Sequence, residues 1–350
     1  MTTIILFIII FSIVVISHEF GHFLIGKRNG IRVVEFSIGM GPNLFSFQRG
    51  ETKYALKLLP IGGACMFDGD DGLAEEKGEP DEHSFLRANV WARIATIAAG
   101  PIFNFLTAFI FALVLVAFNG ADRPVIQQVM EDSAAEEAGL LAGDEILRMN
   151  GERIHVYREI DLISALNRGE SVSMQIKRGD SVQDLTLSPR YSEEDGRYYI
   201  GLIGRGEYIK CNPLQVFQYS AYEIRYWVKM TYKSLGMLVQ GRVTKDEVSG
   251  PIGIAQMVGD NYEVAKAYGV STVIFTMINI IILLSVNLGI LNLLPVPALD
   301  GGRLVFLFLE VLRGKAIPPE KEGMVHFAGL VVLMVLMVFI MYNDIMKLIH

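Results

Sequence analysis

Near its start the chain carries Ser17-His18-Glu19-Phe20-Gly21-His22, and these residue types at this spacing can do hydrolytic chemistry. On a helix His18 and His22 stand four residues apart and share a face. Two imidazoles one turn apart can hold one Zn²⁺, and Glu19 projects beside them. In this H-E-x-x-H arrangement the metal lowers the pKa of a bound water and the glutamate takes its proton. The same pentad in a soluble helix can arise by chance and simply face water. Here no solvated face exists, because Thr3 to Ser17 contains no charge at all. Ionisable groups inside such an apolar run cost ~2.5–3.5 kcal/mol each on insertion scales and usually mark function.

A catalytic zinc needs a third protein ligand. The sequence offers one nearly three hundred positions later, in Asn292-Leu293-Leu294-Pro295-Val296-Pro297-Ala298-Leu299-Asp300-Gly301-Gly302. Two prolines and a glycine pair favour an unwound stretch, tolerable at membrane depth only when buried in protein or lining a water-filled cavity. Asp300 there can complete a His₂-carboxylate set and leave the fourth position to water. Taken alone it reads as the N-cap of a following helix over Arg303–Leu312. Taken with His18 and His22 it reads as the ligand.

The elements that must position these groups are membrane spans. Of 350 residues, 51% are hydrophobic. Four apolar runs each reach the length needed to cross about 30 Å of hydrocarbon: Thr3–Ile25, Ala92–Phe118, Val270–Leu294 and Val325–Met341. The first has neither the basic leader nor the small-residue cleavage site of a removable signal peptide. Basic residues set the orientation. Lys27, Arg28, Arg32, Arg49, Lys53, Lys57, Arg87 and Arg93 flank the first connection, and Arg303, Arg313, Lys315 and Lys321 the last. Both connections are therefore expected to be cytoplasmic, with the long middle segment outside. Cys65 and Cys211 then lie on opposite sides and cannot pair. A net charge of −7 gives no reason to expect a nucleic-acid partner.

Between the first two spans, Arg32–Ile38 and Lys53–Leu58 read as strands around a turn at Gln48–Glu51, with a second break at Pro60–Gly63. A sheet edge there can pair with an extended substrate. The acidic stretch Asp68–His83 is expected to be a loop with a solvated His83. The second span contains Gly100-Pro101-Ile102-Phe103-Asn104. A membrane-embedded Asn104 requires a partner, either as part of the site or as a link between helices. From Ala121 the composition shifts to a compact module of strands and two short helices. Asn150-Gly151 is its strongest turn signal. Asn212–Gln240 is amphipathic and aromatic, as suits a helix on the outer membrane surface, and Ser249–Gly253 breaks the chain before the third span.

With these residues assembled, the chain resembles the site-2 protease family of intramembrane zinc metalloproteases, specifically its bacterial RseP/RasP-like group. The resemblance rests on His18–His22, Gly100–Asn104 and Asn292-Leu293-Leu294-Pro295 with Leu299-Asp300-Gly301. Phe36-Ser37-Ile38-Gly39-Met40-Gly41-Pro42 and Ser249-Gly250-Pro251-Ile252-Gly253 add to it. The pattern Ala138-Gly139-Leu140, Gly143-Asp144-Glu145-Ile146 and Asn150-Gly151 resembles a PDZ domain of the permuted bacterial type. The resemblance implies one Zn²⁺ on His18, His22 and Asp300, with Glu19 as general base. It also implies substrate-binding roles for Asn292 and for Gly62 and Gly63, and Asn104 is grouped with them. The chain departs from the family in Ala64-Cys65-Met66, where an aromatic and a β-branched residue usually follow the glycine pair.

The expected fold class is a polytopic α-helical membrane protein with four transmembrane helices. A small membrane-associated β-hairpin region and an inserted extracytoplasmic PDZ-like α+β domain complete it. The expected divisions are 1–120 with the zinc motif, 121–206 PDZ-like, 207–265 interfacial, and 266–350 with the third ligand. The expected activity is zinc-dependent cleavage in or near the transmembrane segment of pre-cleaved membrane proteins such as anti-sigma factors or signal-peptide remnants. Its partners would be single-pass, type II membrane substrates, a peptide or ectodomain stub at the PDZ domain, and the lipid bilayer. The location would be a bacterial cell membrane, with the zinc site toward the cytoplasm. The alternative is a membrane-anchored PDZ scaffold without proteolytic activity.

Overall fold

The computed structural model describes residues 2–69, 82–193, 197–204, 206–243 and 248–349. Two compact units emerge, one formed by residues 1–111 with 231–350 and the other by 112–230. Among the described residues four helices are long and apolar enough to cross a membrane. They are α1 (Thr2–Arg28), α2 (Val90–Asn119), α7 (Val270–Leu293) and α9 (Pro319–Ile349). Three of them, α1, α2 and α9, extend the run expected from hydropathy into the polar flanks, and α7 stops one residue short of its run at Leu293. The expected acidic loop lies mostly outside the described residues; His83 at its end is exposed and its Nδ1 contacts Gly30 O at 3.0 Å.

In the first unit α1 buries the stripe Phe7, Ile10, Val14, His18, Gly21 and His22, which recurs every three or four residues as a helix face must. Ile4, Ile5, Ile9, Phe20 and Leu24 point outward. Two apolar clusters bracket the histidines along this helix. Ile10 and Val14 pack with Val258, Met277, Ile280 and Ile281. Beyond the histidines, Ile31 and Val33 pack with Phe67, Phe85, Ile94, Ile97, Leu304 and Leu307. Val258 belongs to α6 (Pro251–Lys266), a helix inside the stretch expected to be interfacial. Its Val258 and Gly259 are buried instead against α1 and α7, where Gly259 meets Thr3. Gly250 serves as its N-cap and Pro251 opens it, which accounts for the break read from the sequence.

The region between the first two spans is more extended than a hairpin of two short strands. Strands β1 (Val33–Arg49) and β2 (Thr52–Phe67) pair throughout. Both bend, so residues 35–38 of β1 lie between two stretches of β2: Glu35 faces Met66 and Lys53, and Ile38 faces Gly63 and Leu56. The expected break at Pro60–Gly63 is a bend within β2. Gly62 takes φ +84° there, a backbone conformation that residues with a Cβ avoid. After α2 and the module, the chain returns through α7 to an unwound segment at 294–299, α8 (Asp300–Arg313) and α9.

The second unit holds a four-stranded sheet in the order β6 (Glu152–Arg153), β5 (Glu145–Met149), β7 (Val172–Arg178), β8 (Ser181–Leu187). Three small antiparallel pairs complete it: β3 (Ala121–Arg123) with β12 (Glu207–Ile209), β4 (Gln128–Val129) with β11 (Leu202–Ile203), and β9 (Arg190–Ser192) with β10 (Arg197–Tyr199). Helices α3 (Ala134–Glu137) and α4 (Arg158–Ala165) cover a core of Ile126, Leu140, Ile146, Met149, Tyr157, Ile160, Met174 and Ile176. Asn150 and Gly151 both take positive φ between β5 and β6, the tight turn the dipeptide predicts.

The amphipathic stretch is one helix, α5 (Pro213–Val239). Within this unit its polar residues face the module. Glu223, 4% exposed, pairs with Arg158, which also lies 3.3 Å from Asp122. Lys229 pairs with Glu152 and Glu159, and Tyr222 packs on the His155 ring. Glu223 and Lys229 of this helix are thus engaged by charged side chains of the module. Both cysteines are free thiols.

Candidate metal centre

Three elements bring the candidate donors together. Helix α1 presents His18 and His22 on one face, as the four-residue spacing requires. Helix α2 comes close because its contact residues are small: a Cβ on Gly21 would stand 2.4 Å from Ala99 O. Gly100 lies directly beneath the two rings, where a Cβ would stand 2.3 Å from His22 Nε2 and 2.8 Å from His18 Cε1. The third element is the unwound segment after α7, which ends at Asp300, the first residue of α8. The helix cap is Leu299, with no side-chain cap bond, so the carboxylate is free of the capping role the sequence also allowed. Gly301 and Gly302 let α8 start against the carbonyls of Leu293, Leu294 and Val296.

Asp300 Oδ2 lies 3.1 Å from His18 Nε2 and 3.4 Å from His22 Nε2, and the two Nε2 atoms are 3.1 Å apart. Two donors at the usual zinc–nitrogen and zinc–oxygen distances around a tetrahedral centre are about 3.3 Å apart. The three atoms therefore outline one face of such a site. They form the one group of three or more such side chains among the described residues able to share an ion. His18 and His22 are buried, and Asp300 Oδ2 is a buried oxygen without a hydrogen-bond partner. A cation among them satisfies all three at once.

The far nitrogens orient the rings. His22 Nδ1 lies 2.9 Å from Thr96 O and donates to it, which leaves the Nε2 lone pair facing the centre. His18 Nδ1 lies 3.2 Å from Asn104 Nδ2. A ligating His18 carries its proton on Nδ1 and needs an acceptor there. Asn104 Oδ1 is buried and has no partner, so a half-turn of the amide satisfies both groups. Asn104 is 0% exposed and meets the His18 ring from behind, where it can support that ring.

Glu19 lies on the sheet side. Its Cγ would be 2.9 Å from a Cβ on Gly63, and the Cys65 backbone hydrogen-bonds its carboxylate. Gly63 therefore allows the 63–67 end of β2 to touch Glu19 itself. Gly62 faces Met40 instead and acts by shaping the bend. Asn292 occupies the last turn of α7 and is half-buried. The sequence reading missed Thr96 and His326, whose Nδ1 accepts the Ala298 N–H at 2.9 Å. Neither position carries a motif: one contributes only a carbonyl, and the other is an isolated histidine.

The signature of Peptidase family M50 matches residues 6–336. The zinc metalloprotease RasP of Geobacillus kaustophilus is 32% identical, the match covering 99% of this chain and 98% of that protein. The regulator of sigma-W protease RasP of Bacillus subtilis is 33% identical over 99% of both. A putative zinc metalloprotease of Clostridium acetobutylicum is 33% identical over 98% of this chain and 97% of its own. Among solved structures, the PDZ domain of an SdrC-like protein from Listeria innocua is 26% identical. It matches 26% of this chain and all of its own, with TM-score 0.22. The chain belongs to peptidase family M50 and is a multi-pass membrane zinc metalloprotease of the site-2 type, with Zn²⁺ as its cofactor.

Proposed function

We propose that His18, His22 and Asp300 hold the Zn²⁺, that Glu19 is the general base, and that the substrate is a single-pass membrane protein of type II orientation already shortened by another protease. The convergence of three donor atoms within 3.1–3.4 Å of one another carries this reading. Zn²⁺ at such a site polarises the scissile carbonyl and makes a water acidic enough to be deprotonated near neutral pH. Glu19 takes the proton of the attacking water and delivers it to the leaving amine as the peptide bond breaks. Asn104 and the Thr96 carbonyl hold the imidazole tautomers that this requires.

A peptide bond inside a transmembrane helix is a poor target until the helix unwinds. The 63–67 end of β2, in contact with Glu19, offers an edge to which an extended substrate can add as a strand. Gly63 allows that edge to reach the base, and Asn292 is assigned to the substrate side of the centre. Anti-sigma factors and signal-peptide remnants are the substrate classes that fit, and the Bacillus subtilis relative is named as a regulator of sigma-W protease. The module of 121–206 acts as a PDZ-like domain outside a bacterial cell membrane, receiving a peptide or ectodomain stub, while the zinc site opens toward the cytoplasm. A scaffold without proteolysis is not favoured, since the ligands and the base are all present.

Replacing Glu19 by Gln is expected to abolish cleavage of a model single-pass substrate while the purified protein keeps its zinc. Turnover of that variant at the parental rate would remove Glu19 from the role of base.

A further inference from the structure

The loop that delivers Asp300 is held in an unusual conformation. Ala298, two residues before it, takes φ +74°, a left-handed backbone that a residue with a Cβ adopts only at a cost of about 1–3 kcal/mol. Something must hold it there. The Ala298 N–H donates to His326 Nδ1 on α9 at 2.9 Å. One turn later on the same helix, Gly329 lies flat on the loop, where a Cβ would stand 2.4 Å from Pro297 Cβ and 2.7 Å from Pro297 O. Any larger residue would push α9 off the segment and lengthen the bond.

His326 is itself oriented. Its Nε2 is 3.8 Å from Glu322 Oε1, one turn back on α9, and its ring packs on Phe306 of α8 at 5.4 Å. A ring that accepts at Nδ1 carries its proton on Nε2, the atom facing that carboxylate. The His326 side chain keeps 17% exposure, and none of the residues in the membrane-spanning window of α9 is buried. Ala298, Arg303, Glu322 and His326 also share the wall of one cavity of about 390 Å³ with the apolar Phe85, Leu307 and Phe327, so the bond lies at the edge of an open space.

We propose that His326 is a positioning residue for the metal centre: through the Ala298 N–H it holds the left-handed loop that points Asp300 at the two histidines. The proposal rests on the reading of Asp300 as the third zinc ligand. It makes the fourth membrane helix part of the catalytic apparatus, although that helix supplies no ligand.

The test measures zinc affinity of the detergent-solubilised full chain by chelator competition, together with kcat and KM on a model substrate and the thermal midpoint. H326A is expected to weaken zinc binding about tenfold or more, the range for lost supporting groups, and to lower kcat with KM nearly unchanged. H326N, whose Oδ1 can occupy the place of Nδ1, is expected to recover most of both. In the double variant H326A with Ala298→Gly, the glycine adopts the left-handed backbone unaided, so zinc affinity should return even if H326A alone is too unstable to assay. Parental zinc affinity and kcat in H326A would overturn the proposal, as would an H326N no better than a folded H326A. D300N serves as the control. If D300N loses zinc while H326A keeps it, the positioning role fails and the ligand assignment stands. If D300N binds zinc like the parent, the ligand assignment fails and the positioning role fails with it.

Discussion

His18, His22 and Asp300 converge only because a fourth residue has no side chain. Gly100 lies where a methyl group would sit 2.3 Å from the His22 Nε2 that faces the candidate metal centre. Gly100→Ala is therefore expected to leave the chemistry of every ligand intact and still displace both rings. Zinc affinity should fall by more than tenfold, by the same logic that applies to lost supporting groups, and cleavage should fall in parallel. Metal titration of the purified variant against the parent checks it; unchanged affinity would mean that α1 and α2 have room to part. The H-E-x-x-H pentad itself was legible from spacing. Gly100 was legible only as part of the Gly100–Asn104 motif, since nothing in the sequence says which helix or which atoms it meets.

At the scale of elements, the module shows how a buried charge ties strands together. Asp144 is 1% exposed. It accepts two 2.7 Å bonds from Arg178 at the end of β7 and a third, at 2.9 Å, from the Leu141 N–H. Burial alone would raise its pKa, but the Arg178 bonds outweigh burial and hold it below the ordinary value of 3.8. A depressed carboxylate contributes stability above its unfolded pKa and loses it as pH falls through the folded one. Hydrogen exchange at β5 and β7 is thus expected to be unaffected by Arg178→Met at strongly acid pH and to quicken with that variant at pH 6–7. Equal protection at neutral pH would show that the pair adds nothing. The strands themselves followed from alternation and turn residues. The pairing of Asp144 with Arg178 did not, because thirty-four positions separate them and only the fold sets that distance.

For the whole molecule, the four apolar helices with their basic flanks predict an orientation that labelling can test. A cysteine replacing Arg49, the last residue of β1 before the turn to β2, should react with an impermeant thiol reagent only after the cell membrane is opened. One replacing Ser181, at the start of β8, should react in intact cells once Cys65 and Cys211 are replaced by serine. The reverse pattern would invert the topology and place the zinc site on the outer side. The spans were legible because hydrocarbon demands about 20 apolar residues and leaves that mark on any sequence. The helix α6 was not, because its buried residues are few, Val258, Gly259 and Ala265, and its C-terminal half is polar.

From composition and spacing alone came the spans, the pair of histidines with their glutamate, the PDZ-like turn pattern and, with the histidines in hand, the candidacy of Asp300. These are local properties, written in residues a few positions apart. The remainder depended on distances between residues far apart in the chain. The tertiary structure decided that Asp300 faces the imidazoles and does not cap its helix, that Asn104 backs His18, that Gly63 touches Glu19, and that His326 holds the loop. A helix face or a hydropathy window carries no information about which other segment will lie against it; that is fixed only when all the faces are buried together.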